Sequence, residues 1–133
     1  MNHLEAKANK LVNIWNSQDL KALKELYKTD AVFYDPLLGT EIKGEAILMY
    51  AKGIYEAFPD LKFVVKDIAV SKGLAMAEWS QNGTNTGEIM GKPATGRYVE
   101  IPAVSVLRYN ENGDLISHYD YWDMKKLQAD LFG

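Results

Sequence analysis

Leu4, Ala8, Leu11, Val12 and Trp15 recur at helical spacing and predict a first helix with a single apolar stripe. Asn16-Ser17-Gln18-Asp19 breaks it, and Asp19 is placed to cap a second helix through Leu20, Leu23, Leu26 and Tyr27. The pattern then changes to a short β-prone run, Ala31 to Asp35, which Pro36 stops. Leu38-Gly39-Thr40 and Lys43-Gly44 read as turns. A third helix is expected from about Glu45, carrying Ile47, Leu48, Tyr50, Ala51, Ile54, Tyr55 and Phe58, and Pro59-Asp60 ends it.

Beyond Asp60 the alternation is that of strands. Leu61, Phe63 and Val65 share one phase, and Ile68 and Val70 the opposite one. The slip at Lys66-Asp67 predicts a bulge that bends the strand. Leu74 to Ser80 reads as a second strand, and the glycine-spaced stretch from Gln81 to Gly96 as turns with at most a short strand. Tyr98 to Tyr109 reads as a long strand, and Asn110-Glu111-Asn112-Gly113 as a hairpin turn. Leu115 to Trp122 pairs back, and a short helix closes the chain from about Lys125. Helices followed by a bent antiparallel sheet make an α+β layout, expected as one domain over residues 1–133. A curved sheet wrapped over a long helix forms a cone whose mouth suits a ligand cavity.

Composition narrows the choices. A net charge of −3 without a Lys/Arg cluster argues against nucleic acid and anionic membranes as partners. The absence of cysteine excludes disulfides, thiolate zinc sites and cysteine nucleophiles. The opening Met1-Asn2-His3-Leu4-Glu5-Ala6 is amphipathic at once, with no signal-peptide run, and no stretch nears the length of a membrane span. A cytoplasmic protein is the expectation.

On the last strand, alternation points Ile116, His118, Asp120 and Trp122 one way and Leu115, Ser117, Tyr119, Tyr121 and Asp123 the other. A carboxylate between a histidine and a tryptophan on an apolar face suits a general acid or base, because burial raises a carboxyl pKa. It also suits a structural carboxylate bonded to His118 or to a backbone amide, and His118 itself reads first as structural. Asp35 before Pro36 either opens a turn or stands at a cavity mouth, and pattern favours the turn. Trp15, Trp79 and Trp122 could wall a cavity, although each alone fits a core. No pair of histidines or carboxylates has metal-ligand spacing, and no nucleophile elbow is present.

Tyr27-Lys28-Thr29-Asp30-Ala31-Val32-Phe33-Tyr34-Asp35-Pro36, followed by Gly44, resembles a helix-to-strand segment of the nuclear transport factor 2-like superfamily. That superfamily holds ketosteroid isomerases, SnoaL-like polyketide cyclases and limonene-type epoxide hydrolases. Three further stretches, Gly83 to Gly87, Gly91 to Arg97 and Gly113 to Asp123, are similar to the "GTHTG", "G-x-PPTGR" and "dGkIxxHxDxxD" segments of the SnoaL-like family. The order and spacing of these segments cover nearly the whole chain. The resemblance implies a cone-shaped fold, usually a homodimer, and an aspartate acid/base for aldol closure at the position of Asp120, with His118 at the neighbouring histidine.

Ser105 stands where those cyclases carry a further histidine. Against ketosteroid isomerases, Asp35 falls at the base, while Leu11 and Ser105 replace the two oxyanion donors. Against the epoxide hydrolases, Trp79 and Gln81 replace the arginine and second aspartate of the water-activating relay. Two functions remain open. One is a cofactor-independent acid/base enzyme acting on a small hydrophobic carbonyl compound such as a polyketide, with Asp120, His118 and Asp35 catalytic. The other is a non-catalytic dimeric binder of the same fold. In either case Trp15, Tyr50, Trp79, Ser105 and Trp122 are expected to line the ligand.

Overall fold

The computed structural model describes residues 3–28 and 30–133. Met1, Asn2 and Thr29, quoted above for the N-terminus and the helix-to-strand segment, lie outside them. Helix α1 (His3–Ser17) buries Ala8, Leu11, Val12 and Trp15, the predicted stripe. Helix α2 (Leu20–Leu26) starts at Asp19, whose carboxylate accepts from the backbone N–H groups of Lys21 and Ala22. That bond satisfies two of the amide donors that a helix N-terminus leaves unpaired. Strands β1 (Val32–Tyr34) and β2 (Glu41–Lys43) precede α3 (Glu45–Ala57). Strands β3 (Lys62–Ser71), β4 (Leu74–Thr84), β5 (Tyr98–Tyr109) and β6 (Leu115–Trp122) follow, and α4 (Met124–Phe132) closes the chain.

The strands form one curved, open sheet in the order β2-β1-β6-β5-β4-β3. The α+β expectation holds. The sheet is mixed, however: β1 runs parallel to β6, pairing Val32 with Ser117 and Tyr34 with Tyr119. A parallel neighbour needs a long crossover, which here is everything between β1 and β6. The register of β3 on β4 shifts between Val65 and Asp67, at the predicted bulge.

Four local expectations change. Strand β4 runs on to Thr84, because Gln81, Asn82, Gly83 and Thr84 pair with Ile101, Glu100, Val99 and Tyr98. The turns therefore begin only after Thr84. Glu41–Lys43, which lies between the two expected turns and takes in Lys43 of the second, is a short strand held by β1 alone. On β6 the register against β5 slips between Arg108 and Tyr109, so Leu115 pairs with Tyr109 and Ile116 is the extra residue. Leu115 is consequently buried and Ile116 exposed, the reverse of the alternation carried back from Trp122. The last helix starts one residue earlier than expected, with Asp123 accepting from the Lys126 amide as its cap.

The glycine-rich loop after β4 is tied down by Asn85, which is fully buried. Its amide donates to the carbonyls of Ala57 and Gly87, and its oxygen accepts from the Thr95 backbone and hydroxyl. A Cβ on Gly87 would sit 2.1 Å from the Glu56 carbonyl oxygen. Only glycine lets this loop close against the end of α3. Among the described residues, no helix is long and apolar enough to cross a membrane.

Candidate active site

The concave face of the sheet, α1, α3 and α4 enclose a cavity of about 60 Å³. Its wall is mostly apolar, with Leu11, Val12, Phe33, Ile54, Phe58, Phe63 and Ile101 among the lining residues. Polar groups enter from β1, α3, β4, β5 and β6 through Asp35, Tyr50, Gln81, Ser105, His118 and Asp120. Trp15, Trp79 and Trp122 also line it, so the three tryptophans serve core and cavity together.

Asp120 is buried and sits at the meeting point of two hydrogen-bond chains. In one, the Trp15 indole N–H donates to the Tyr27 hydroxyl at 2.9 Å, which lies 2.7 Å from His118 Nδ1. His118 Nε2 then lies 2.7 Å from Asp120 Oδ1. An ionised Asp120 can only accept, so Nε2 carries the proton and donates to it, and the bare Nδ1 of the neutral ring accepts from the Tyr27 hydroxyl. Burial pushes the Tyr27 phenol well above its ordinary pKa, which keeps that proton in place. In the second chain the Trp79 indole donates to Ser105 Oγ at 2.9 Å, and Ser105 donates to Asp120 Oδ1 at 2.6 Å. Both chains end on Oδ1. No donor among the described residues reaches Oδ2, and Asp120 lines the cavity.

The parallel pairing of Tyr34 with Tyr119 brings the next residues, Asp35 and Asp120, beside one another. Asp35 opens the turn through its backbone and enters the cavity through its side chain. Its carbonyl accepts from the Leu38 and Gly39 amides. Its carboxylate takes three donors: the Trp122 indole at 3.0 Å, the Tyr50 hydroxyl at 2.9 Å and the Leu37 amide at 3.1 Å. Burial, and after it the negative charge of Asp120, raise the Asp35 carboxyl from 3.8 to about 7 against the pull of those three bonds. Tyr50 is likewise pushed well above its ordinary value by burial and by Asp35, so it remains a donor.

All eight residues expected at the site line this cavity: Trp15, Asp35, Tyr50, Trp79, Ser105, His118, Asp120 and Trp122. Leu11, at the position of the missing tyrosine donor, lines it as carbon. Sequence reasoning placed Tyr27 only on the apolar stripe of the second helix, because its hydroxyl partner lies 91 residues away. Among the described residues no three His, Cys, Asp or Glu groups gather as metal ligands.

The profile of the SnoaL-like polyketide cyclase family matches residues 6–131. The chain belongs to that family. Among solved structures, AclR from Streptomyces galilaeus, a candidate hydroxylase, is 28% identical, with 97% of this chain and 80% of that one aligned at a TM-score of 0.83. IdmH from Streptomyces antibioticus, a candidate polyketide cyclase, is also 28% identical, with 95% and 96% of the two chains aligned at 0.80. SalBIII, an epoxide hydrolase/cyclase-like enzyme with a role in pyran ring formation in the polyether salinomycin, is 18% identical over 91% of each chain at 0.75 and shares the fold alone. No curated protein sequence matches this SnoaL-like chain.

The Asp35 carboxyl gives a stability test with a definite sign. Its folded pKa of about 7 lies above the ordinary 3.8, so between those values the folded state holds a proton that the unfolded chain has released. Stability therefore falls as pH rises through that window and is level above it, by roughly 4 kcal/mol in all. Asp35→Asn has no charge to bury and loses one accepted bond. Its melting temperature relative to wild type is expected to rise by about 5–10 °C between pH 4.5 and pH 8, followed by circular dichroism. Parallel wild-type and variant profiles would contradict the raised pKa.

Proposed function

We propose that this SnoaL-like chain is a cofactor-independent acid/base enzyme of the aldol-cyclase or isomerase type, acting on a small hydrophobic carbonyl compound such as a polyketide. The observation that carries the reading is the pair of neighbouring buried carboxylates on one apolar cavity, held in different ways. Asp120 has one oxygen fixed by His118 and Ser105 and the other open, which suits a base that takes a proton next to a carbonyl and returns one to the new alkoxide. Asp35, with its raised carboxyl, carries a proton for part of the time near neutral pH and suits the complementary acid. His118 holds Asp120 by its Nε2 proton. Family membership and the likeness to IdmH support the same reaction class.

One observation favours a non-catalytic binder instead. Ser105, at a donor position of related enzymes, spends its proton on Asp120, and Leu11 has none to give. A developing oxyanion thus lacks the preformed donors whose individual loss costs other enzymes about 3 kcal/mol.

We also propose that two copies pair through the convex face of the sheet. There Tyr34 stacks on Tyr119 at 5.2 Å, and Met76, Val104, Val106 and Tyr121 extend the apolar row. Glu78 and Arg108 lie at its borders. Opposite charges flanking one apolar strip are self-complementary across a two-fold axis. Light scattering is expected to give twice the chain mass for wild type and the chain mass for Tyr121→Asp; a monomeric wild type would contradict the pairing.

The enzyme reading is tested by incubating the protein in deuterated buffer with β-keto esters, 1,3-diketones, steroid enones and aromatic polyketide mimics, with proton NMR to follow exchange. Wild type is expected to accelerate exchange of at least one compound, and Asp120→Asn to lose that acceleration by a factor of about 10² or more. Exchange as fast in Asp120→Asn as in wild type would move the base to Asp35, and no acceleration with any compound would favour the binder.

A further inference from the structure

The hydrogen-bonding capacity of the cavity is lopsided. Its donors are spent on the protein itself. The indoles of Trp15, Trp79 and Trp122 serve Tyr27, Ser105 and Asp35. The Tyr50 hydroxyl serves Asp35, while Ser105 and His118 serve Asp120 Oδ1. On the acceptor side, Asp120 Oδ2 receives nothing from the described residues, although Asp120 is only 6% exposed and lines the cavity. With no donor from the described residues, that oxygen is open to the cavity, and a ligand that supplies an O–H or N–H gains a charge-assisted hydrogen bond there.

Gln81 is the one lining side chain with an uncommitted amide, but it belongs to the other end. It pairs with Ile101, four residues along β5 from the Ser105 that pairs with Asp120, about 13 Å along the strand. The lining residues include no Lys or Arg, and Asp35 stands beside Asp120, so an anionic ligand would meet two carboxylates without a counter-charge. An ammonium group brings three N–H donors and a full charge against a mostly apolar wall, where Asp35 already accepts three bonds, so its lost hydration is poorly replaced. A hydroxyl brings one donor.

We infer that this cavity selects its ligand by an uncharged hydroxyl, a phenol or the enol of a dicarbonyl compound, whose O–H is accepted by Asp120 Oδ2 while the attached ring or chain lies against the aromatic wall. The inference rests on the cavity being the ligand site and goes further by naming the group that docks.

The test uses single-ring probes and the indole N–H signals of the protein's three tryptophans, all of which line the cavity. Phenol, anisole, benzaldehyde and benzoate are titrated into ¹⁵N-labelled protein at pH 7. Phenol is expected to move the indole signals and to bind about tenfold tighter than anisole, with benzaldehyde and benzoate weaker than phenol. In Asp120→Asn, the donors from Ser105 and His118 hold the amide oxygen in place of Oδ1 and put the NH₂ group where Oδ2 was. Benzaldehyde is then expected to overtake phenol. Equal affinities for phenol and anisole, no indole response to phenol, or an unchanged ranking in folded Asp120→Asn would overturn the inference. If the variant does not fold, the wild-type ratio decides alone. The probes undergo no reaction, so a phenol preference stands even where deuterium exchange fails, and the two readings fail separately.

Discussion

A buried carboxylate has to be compensated, and the placement of Asp120 depends on how that is done. Its Oδ1 receives His118 and Ser105, and each of those is itself fixed by a tryptophan, through Tyr27 in one case and directly in the other. Removing one member would leave a buried donor or acceptor unpaired at about 1–3 kcal/mol, more where a charge is involved. The chain through Tyr27 also joins distant parts of the sequence. Trp15 comes from α1, Tyr27 from the end of α2 and His118 from β6, so the helical layer and the sheet are locked at one place. The aromatic packing follows the same route: His118 meets Phe33 edge-on at 4.8 Å, and Trp15 stacks on Phe33 at 5.6 Å. Polar register and apolar packing thus specify the same arrangement.

The consequence for chemistry is an asymmetry between two neighbouring acids. Asp35 has donors on both oxygens, three in all, whereas Asp120 has both of its donors on one oxygen. Similar side chains in contact with the same cavity therefore differ in what they offer a ligand. Parallel pairing of β1 with β6 is what makes them neighbours, and the crossover between those strands is the bulk of the domain. The two carboxylates consequently come together only when nearly the whole fold is complete.

Much of this was legible in the sequence where one rule governs a residue. Strand alternation placed His118, Asp120 and Trp122 together, and helical periodicity gave α1 and α3 their buried faces. The failures occur where two rules compete. Asp35 reads as a turn opener because its backbone is one, while its side chain independently turns inward. Alternation points Ile116 to the inner face, but it is itself the extra residue of a bulge, which reverses the phase. Tyr27 counted as an apolar helix residue because its ring is buried, and nothing local reveals that its hydroxyl faces a histidine 91 residues on. Strand β2 was hidden because three residues carry too little alternation to register, and only β1 makes them a strand.

The state of His118 tests this account most directly, since the orientation of Asp120 depends on which ring nitrogen carries the proton. Long-range ¹H–¹⁵N correlation spectra of the labelled protein at pH 7 distinguish the two nitrogens. A bare Nδ1 accepting from Tyr27 and a protonated Nε2 donating to Asp120 are predicted, with Nδ1 changing its shift in Tyr27→Phe. A protonated Nδ1 in wild type would contradict the chain of bonds and, with it, the open oxygen that Asp120 presents to the cavity.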